Sequence, residues 1–301
     1  MTPDRARTRA GLFFGLGAYL LWGFLPLYFK FLAHVDPTEI VAHRIVWSLL
    51  FLGALATAWR RWPTIRTAFS DRGVLLTLAA TAVLIAVNWL VYIWAVLNGH
   101  VLEGSLGYYL NPLVNMLLGV LLLKEKLTRG QMAAGGLAAL GVAVLAVGAG
   151  TGLWISLTVA FSFALYGYLR KVAPVDSLEG LYIETLLLAP IALGWIVWSN
   201  VDAGSFSFDW LTILLLALSG AVTAVPLLLF TAAAKRLPYS TLGFLQYIGP
   251  TIHFILAVFV FGERLTVAHV ICFAAIWAAL AIFAFEGVRV GRAAAQARAA
   301  A

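Results

Sequence analysis

The chain has 301 residues, of which 63% are hydrophobic and only 11% charged, and its mean hydropathy is +0.97. A soluble domain is about a quarter charged, so this chain cannot cover its own surface with polar groups and reads as an integral membrane protein. Its formal charge of +7 would suggest nucleic acid in a soluble protein, and its one cysteine, Cys272, excludes a disulfide or a cysteine-based zinc site within a monomer.

A membrane-spanning helix needs about 20 mostly apolar residues. Ten segments meet that need: 11–31, 38–58, 73–95, 103–123, 130–149, 151–170, 179–199, 210–234, 239–261 and 267–287. Residues 1–10 form a short tail whose Arg5, Arg7 and Arg9 resemble a signal-peptide start. The apolar run that follows is too long and lacks a small-residue cleavage site, so it reads as a retained first span. Short loops turn on Val35-Asp36-Pro37, Asn98-Gly99-His100 and Gly148–Gly152. Residues 288–301 are an Ala- and Arg-rich tail that frays or extends the last helix. The expected fold is all-α and integral to the membrane, with ten transmembrane helices.

With the N-terminus inside, 17 of the 20 Lys and Arg residues fall on the cytoplasmic side, in the flanks of six short segments. The outside receives Lys30 and Arg264, while Arg44 lies within a span. The positive-inside rule therefore places both termini in the cytoplasm. Bases distributed in this way are topology signals, which excludes the nucleic-acid reading.

The stretch from Ser105 to Thr128 returns as Gly243 to Thr266 at an offset of 138. Tyr109 falls on Tyr247, Pro112 on Pro250, Glu125 on Glu263, Lys126 on Arg264 and Thr128 on Thr266. Asn88 likewise matches Pro226, and near the start Lys30 matches Lys171 at an offset of 141. Residues 11–149 and 150–287 are thus two repeats of five spans. An odd number of spans turns the second repeat upside down, the arrangement of secondary transporters whose sites lie between the halves near the midplane. Pro112 and Pro250 are candidate hinges, since a membrane helix tolerates proline where neighbours satisfy the freed backbone groups.

Two polar stripes run down the repeated helices. One carries Tyr108, Asn111, Asn115 and Gly119, and the other Gln246, Gly249, His253 and Ala257. Arg44 lies about six residues into the second span, roughly 9 Å deep at 1.5 Å per residue. An arginine at a helix centre costs about 2.5–3.5 kcal/mol on insertion scales, so such a group faces a cavity or a partner unless it snorkels to the interface. Glu184, its repeat mate at an offset of 140, is the only acid well inside a span. The inverted geometry favours one ionisable group below each gate over a direct Arg44–Glu184 bond, with Tyr182 or a backbone group as a structural partner for the acid. The candidate cavity set is His43, Arg44, Asn88, Tyr92, Tyr108, Asn111, Asn115, Glu184, Gln246, Tyr247 and His253. The bland alternative for the amides is interhelical hydrogen bonding, worth about 0.6 kcal/mol each. Glu125-Lys126 and Glu263-Arg264 read as polar stops, with Thr128 or Thr266 capping the next helix. Gly135, Gly136, Ala138 and Gly141 predict close packing of the fifth span, and Trp59, Trp62 and Trp210 an interfacial belt.

His43-Arg44-Ile45-Val46-Trp47-Ser48, Asn88-Trp89 with Tyr92-Ile93-Trp94-Ala95, Gly107-Tyr108-Tyr109-Leu110-Asn111-Pro112-Leu113 and Gln246-Tyr247-Ile248-Gly249-Pro250-Thr251 together resemble the RarD-type EamA transporters. These belong to the drug/metabolite transporter superfamily and include proteins labelled for chloramphenicol sensitivity. The resemblance runs from Gly11 to about Phe285 and implies a ten-helix inner-membrane permease with duplicated EamA halves. It names no substrate.

The expected function is therefore secondary-active transport of a small organic solute, metabolite or drug, by alternating access through a central polar cavity. Partners are that solute, the bilayer and protons as coupling ion, with Glu184 as the proton-loading carboxylate in a monomer or weak homodimer. No cofactor or metal is called for, because His43, His253 and Glu184 lack ligand spacing. A membrane-embedded enzyme would need paired carboxylates or a His/Asp cluster at one depth. A sensor or scaffold would usually bring a soluble output domain, for which the loops are too short.

Overall fold

The structure, a computed structural model, describes residues 3–32, 34–97, 101–147, 153–203, 209–260 and 267–299. Every regular element among them is a helix. In chain order these are α1 (Pro3–Lys30), α2 (Pro37–Ala58), α3 (Trp62–Ser70), α4 (Arg72–Leu97), α5 (Val101–Leu121), α6 (Arg129–Ala146), α7 (Leu153–Val172), α8 (Ser177–Ala203), α9 (Trp210–Ala234), α10 (Tyr239–Gln246), α11 (Ile248–Phe259) and α12 (Val267–Ala299).

Local chemistry explains several boundaries. Asp36 accepts from the Thr38 N–H at 2.8 Å, ahead of Pro37 in the first turn of α2, and Asp71 accepts from the Gly73 N–H at 2.8 Å ahead of α4. Thr128 and Gln131 cap each other reciprocally at the start of α6, at 2.9 and 3.2 Å. At the end of α2, Arg60 takes a left-handed φ of 52°, and the Arg61 N–H reaches back to the Ala56 carbonyl at 2.8 Å. That closes the helix in a Schellman turn without the usual glycine.

Among the described residues, seven helices contain a stretch long and apolar enough to cross a membrane: Ala6–Lys30, Pro37–Ala58, Arg72–Tyr92, Leu153–Val172, Ser177–Ser199, Trp210–Ala234 and Val270–Gly287. A shorter apolar stretch covers Leu106–Leu121. Large apolar side chains such as Phe13, Leu76, Ile191 and Phe285 point outward and are exposed, as a lipid-facing surface requires.

The helices depart from the expected segments in two places. Amphipathic α3 stands between the second and third segments, with Ile65 buried beneath it. The ninth segment, expected as one helix over 239–261, is broken at Tyr247 into α10 and α11. There the Tyr247 N–H bonds the carbonyl three residues back, Phe244, at 3.3 Å. Gly249 follows, and then Pro250, which has no N–H to offer. Its counterpart Pro112 is preceded by Asn111 and stays inside an unbroken α5. One proline thus sits within a continuous helix, while its mate, aided by a glycine, helps to divide one.

Packing is reciprocal between the halves. α2 packs on α8, α5 on α10 and α6 on α12, which are repeat mates; α4 on α7 is matched by α1 on α9, and α5 on α7 by α1 on α11. A two-fold axis between inverted repeats produces such a pattern. The α6–α12 seam is built on Ala134, Ala138, Ile276 and Ala279, the small-residue packing expected of the fifth segment. α2 and α9 meet backbone to backbone, because a Cβ on Gly220 would lie 2.3 Å from the carbonyl carbon of Trp47.

Candidate functional site

Glu184 projects from the first third of α8 into the bundle and is buried. Its Oε1 accepts from the Thr81 hydroxyl at 2.5 Å and lies 3.4 Å from Nε of Arg170, while its Oε2 accepts from the Tyr166 hydroxyl at 3.4 Å. Arg170 is fully buried, although it lies in the last turn of α7. Its Nη2 donates to the Ser177 carbonyl at 3.1 Å. A Cβ on Gly180 would sit 1.8 Å from Nη1, so only glycine leaves the guanidinium its path across α8. The acid thus has an arginine, a tyrosine and a threonine as partners. Tyr182, the expected partner, stacks its ring edge-on against Trp62 instead.

Arg44 lies on α2, the helix that packs on α8, and does not pair with Glu184. Its Nε donates to Thr223 Oγ1 at 2.8 Å. The guanidinium carbon stands 5.3 Å from the ring centre of Phe29 and 5.1 Å from that of Trp89, contacts worth about 0.5–2 kcal/mol each. Tyr28 and Tyr108 complete its electrostatic surroundings, and Tyr108 meets Tyr92 edge-on at 5.2 Å. Among the described residues no carboxylate forms an ion pair with Arg44. Beside it, Nε2 of His43 is buried and has no hydrogen-bond partner among them.

The two groups border one space. A cavity of about 10 Å³ between α2, α4, α7, α8 and α9 has Glu184, Tyr166, Trp89, Ser48 and Thr223 on its wall. That is room for about one water. Arg44 thus reaches the cavity through its contacts with Thr223 and Trp89, while Glu184 lines it directly. Toward the base-rich end, an open groove of about 510 Å³ is lined by Arg61, Thr64, Asp176, Glu179 and Lys235. Arg61 pairs there with Asp176 at 2.7 Å and with Glu179 at 2.5 Å. The hydrogen bond and charge of Glu179 hold the Arg61 guanidinium above its usual range, while burial, helped by Arg170, holds the Lys235 ammonium below the usual lysine range. Among the described residues no three His, Cys, Asp or Glu side chains converge as metal ligands.

Residues 9–147 match the model of the EamA-like transporter family. An uncharacterized transporter of Pseudomonas aeruginosa is 46% identical over 286 residues, covering 94% of this chain and 96% of its own. Protein RarD of Escherichia coli is 43% identical over 291 residues, covering 95% and 97%. The chain is a RarD-type member of the EamA-like transporter family. A solved crystal structure shares its fold, with a TM-score of 0.71 at 19% identity over 91% of this chain and 96% of the other. The RarD-type protein is accordingly a multi-pass membrane protein of the drug/metabolite transporter superfamily.

Within this RarD-type bundle the residues expected to share one cavity are divided. Arg44, Glu184, Tyr108 and Tyr92 gather at or beside the central space. Asn88 instead donates to the Val159 carbonyl at 2.8 Å and to Ser162 at 3.1 Å. Asn115 donates to Gln246 at 2.8 Å across the α5–α10 seam, while its own Oδ1 is buried without a partner among the described residues. One turn away, both amide atoms of Asn111 are buried without a partner among the described residues, as is the Tyr247 hydroxyl. The side chain of His253 lies outside the described residues, as do Glu263, Arg264 and Thr266. Glu125, read as a polar stop, crosses to the other half and caps α10: it accepts from the Tyr239 N–H, from the Ser240 N–H at 3.0 Å and from the Ser240 hydroxyl at 2.7 Å.

Arg170 is the residue that sequence reasoning missed, because it stands among the bases that flank the spans on the base-rich side. The signal was the hairpin. Only four residues separate α7 from α8, so a long side chain in the last turn of α7 can reach the first turn of α8, where Arg170 lies against Gly180.

Proposed function

We propose that the protein is a secondary-active permease that moves a small organic solute by alternating access around the cavity between Arg44 and Glu184. One observation carries the reading. Repeat-related groups of opposite charge, one on each half, flank a single closed space where α2 crosses α8 and α9. Ten spans, an inner-membrane location and cytoplasmic termini complete it, resting on the distribution of bases and on the reciprocal packing. The closed cavity is an occluded or collapsed stage of the cycle, and Pro112 and the break before Pro250 are the points where α5 and α10–α11 flex to open it.

Protons are the coupling ion in this reading. Glu184 alternates between its bond to Arg170 and a protonated form released from it, since an opposite charge favours the ionised carboxylate and burial favours the neutral one. The test is reconstitution into liposomes with an imposed pH gradient, scoring both exchange and accumulation of a metabolite library. Wild type should accumulate its solute, whereas Glu184→Gln should exchange it without accumulation. Equal accumulation by both would remove the coupling role, and no exchange of any library member by wild type would remove the permease reading.

A further inference from the structure

We infer that the solute is a monoanion whose carboxylate docks on Arg44 and whose flat apolar body lies against Phe29, Trp89 and Tyr108. The inference rests on the permease reading and names the chemistry of its substrate. It begins with a charge inventory of the bundle interior. Glu184 is already matched by Arg170. Arg44 has no acid partner among the described residues, and the groups that act on it electrostatically are the phenols of Tyr108 and Tyr28. The two cations and one anion around the cavity therefore leave one positive charge uncompensated. A singly charged anion cancels it, a dianion overshoots beside Glu184, and a cation or neutral solute leaves the arginine unmatched.

The geometry is equally selective. Thr223 occupies only Nε, which leaves the two terminal nitrogens for a carboxylate in the forked pairing that arginine favours. The guanidinium carbon lies over the rings of Phe29 and Trp89, contacts that use no hydrogen bond along the edge carrying its terminal nitrogens, which is the edge a fork needs. Trp89 and Thr223 also line the cavity, so an anion on that edge sits where the solute is expected. The aromatic surroundings suit a planar hydrocarbon body better than a sugar or polyol.

The probes are benzoate, its neutral isostere benzamide, benzylammonium and the dianion phenylphosphonate, read by thermal unfolding of the full-length protein in mild detergent. Benzoate at millimolar concentration should raise the unfolding temperature, and the other three should not. Arg44→Lys keeps the charge but loses the fork and should weaken benzoate binding at least tenfold; Arg44→Gln should abolish it. If Arg44→Gln fails to fold, Arg44→Lys and Thr223→Val, which frees the anchored Nε, decide the matter, with the second weakening binding several-fold. Undiminished benzoate binding in these variants, an equal response to benzamide or benzylammonium, or no response to benzoate at any soluble concentration overturns the inference. Exchange of a neutral or cationic solute in liposomes without a benzoate response would sink the anion assignment alone. The permease reading falls only if wild type exchanges nothing.

Discussion

At the base-rich end of the bundle, helices are tied by charge. Arg61 bonds Asp176 and Glu179, Arg170 bonds Glu184, and Glu125 caps α10 across the two halves. Lys171 donates to the carbonyls of Ala234, at 2.7 Å, and Leu237, while Lys235 returns the contact to Ala173 at 2.7 Å. Each lysine thus supplies a cation to the C-terminal carbonyls of the other's helix, where the dipole favours it. At the opposite end the hydrogen bonds between helices among the described residues are neutral: Tyr28 donates to the Leu215 carbonyl, and His34 lies 3.0 Å from Thr212. Neutral bonds at membrane depth are worth about 0.6 kcal/mol on average. Of the contacts among the described residues, those at the base-rich end are therefore the stronger latch.

The sharpest test of that contrast compares two buried arginines. Arg170→Leu removes one partner of a buried ion pair and should cost up to about 3–5 kcal/mol, the usual cost of breaking one. Adding Glu184→Gln should recover most of the loss. Arg44→Leu removes one neutral-acceptor hydrogen bond and two ring contacts and should cost less, about 1–3 kcal/mol. Thermal unfolding in detergent measures all three. Equal losses for the two single variants would mean that the ends are not closed by different chemistry.

Gly180→Ala refines the point. In an open helix interior that change stabilises by about 1 kcal/mol. Here the new methyl would meet Arg170 Nη1 at 1.8 Å and should displace the guanidinium from Glu184, destabilising by roughly 1–3 kcal/mol. A stabilised variant would show that Arg170 holds its place only loosely.

These residues also show how far the sequence could be read. Most helix positions were legible because a bilayer demands a minimum apolar length, and the repeat was legible because Glu125, Pro112 and Tyr109 recur at one spacing. Arg44 and Glu184 stood out because charge within a span is costly. What the sequence hid was pairing. Arg170 looks like any flanking base until the four-residue turn brings the start of α8 within reach of its side chain. Asn115 and Gln246 looked like the walls of a wet cavity, yet facing amides on neighbouring helices bond directly to each other where the seam closes. The break at Tyr247 was equally hidden, because Pro112 and Pro250 look alike and only Gly249, where the first copy has Asn111, tells them apart.

The smallest expected effect concerns the latch itself. The Arg61–Asp176 pair is exposed and adds only about 0–1 kcal/mol to stability. The buried Glu179 keeps its bond from the Thr64 hydroxyl when Arg61 is lost, so Arg61→Ala should lower the unfolding temperature only slightly. It should nevertheless shift the conformational balance, because about 1 kcal/mol changes a two-state ratio roughly fivefold. Thr185 lines the central cavity, and Thr185→Cys in a Cys272→Ala background reports when the base-rich end opens. An impermeant thiol reagent added from that side should label the Arg61→Ala form several-fold faster than its parent. Salt should act in the same way, since exposed charge pairs are screened within about 8 Å at physiological ionic strength. Raising it should speed labelling of the parent and leave the Arg61→Ala form nearly unaffected, because the screened contact is already gone. Labelling from the opposite side should show neither response, as the hydrogen bonds of Tyr28 and His34 that tie that end among the described residues are not ion pairs. If salt accelerates labelling equally from both sides, or Arg61→Ala leaves the rate unchanged, charge does not latch the base-rich end.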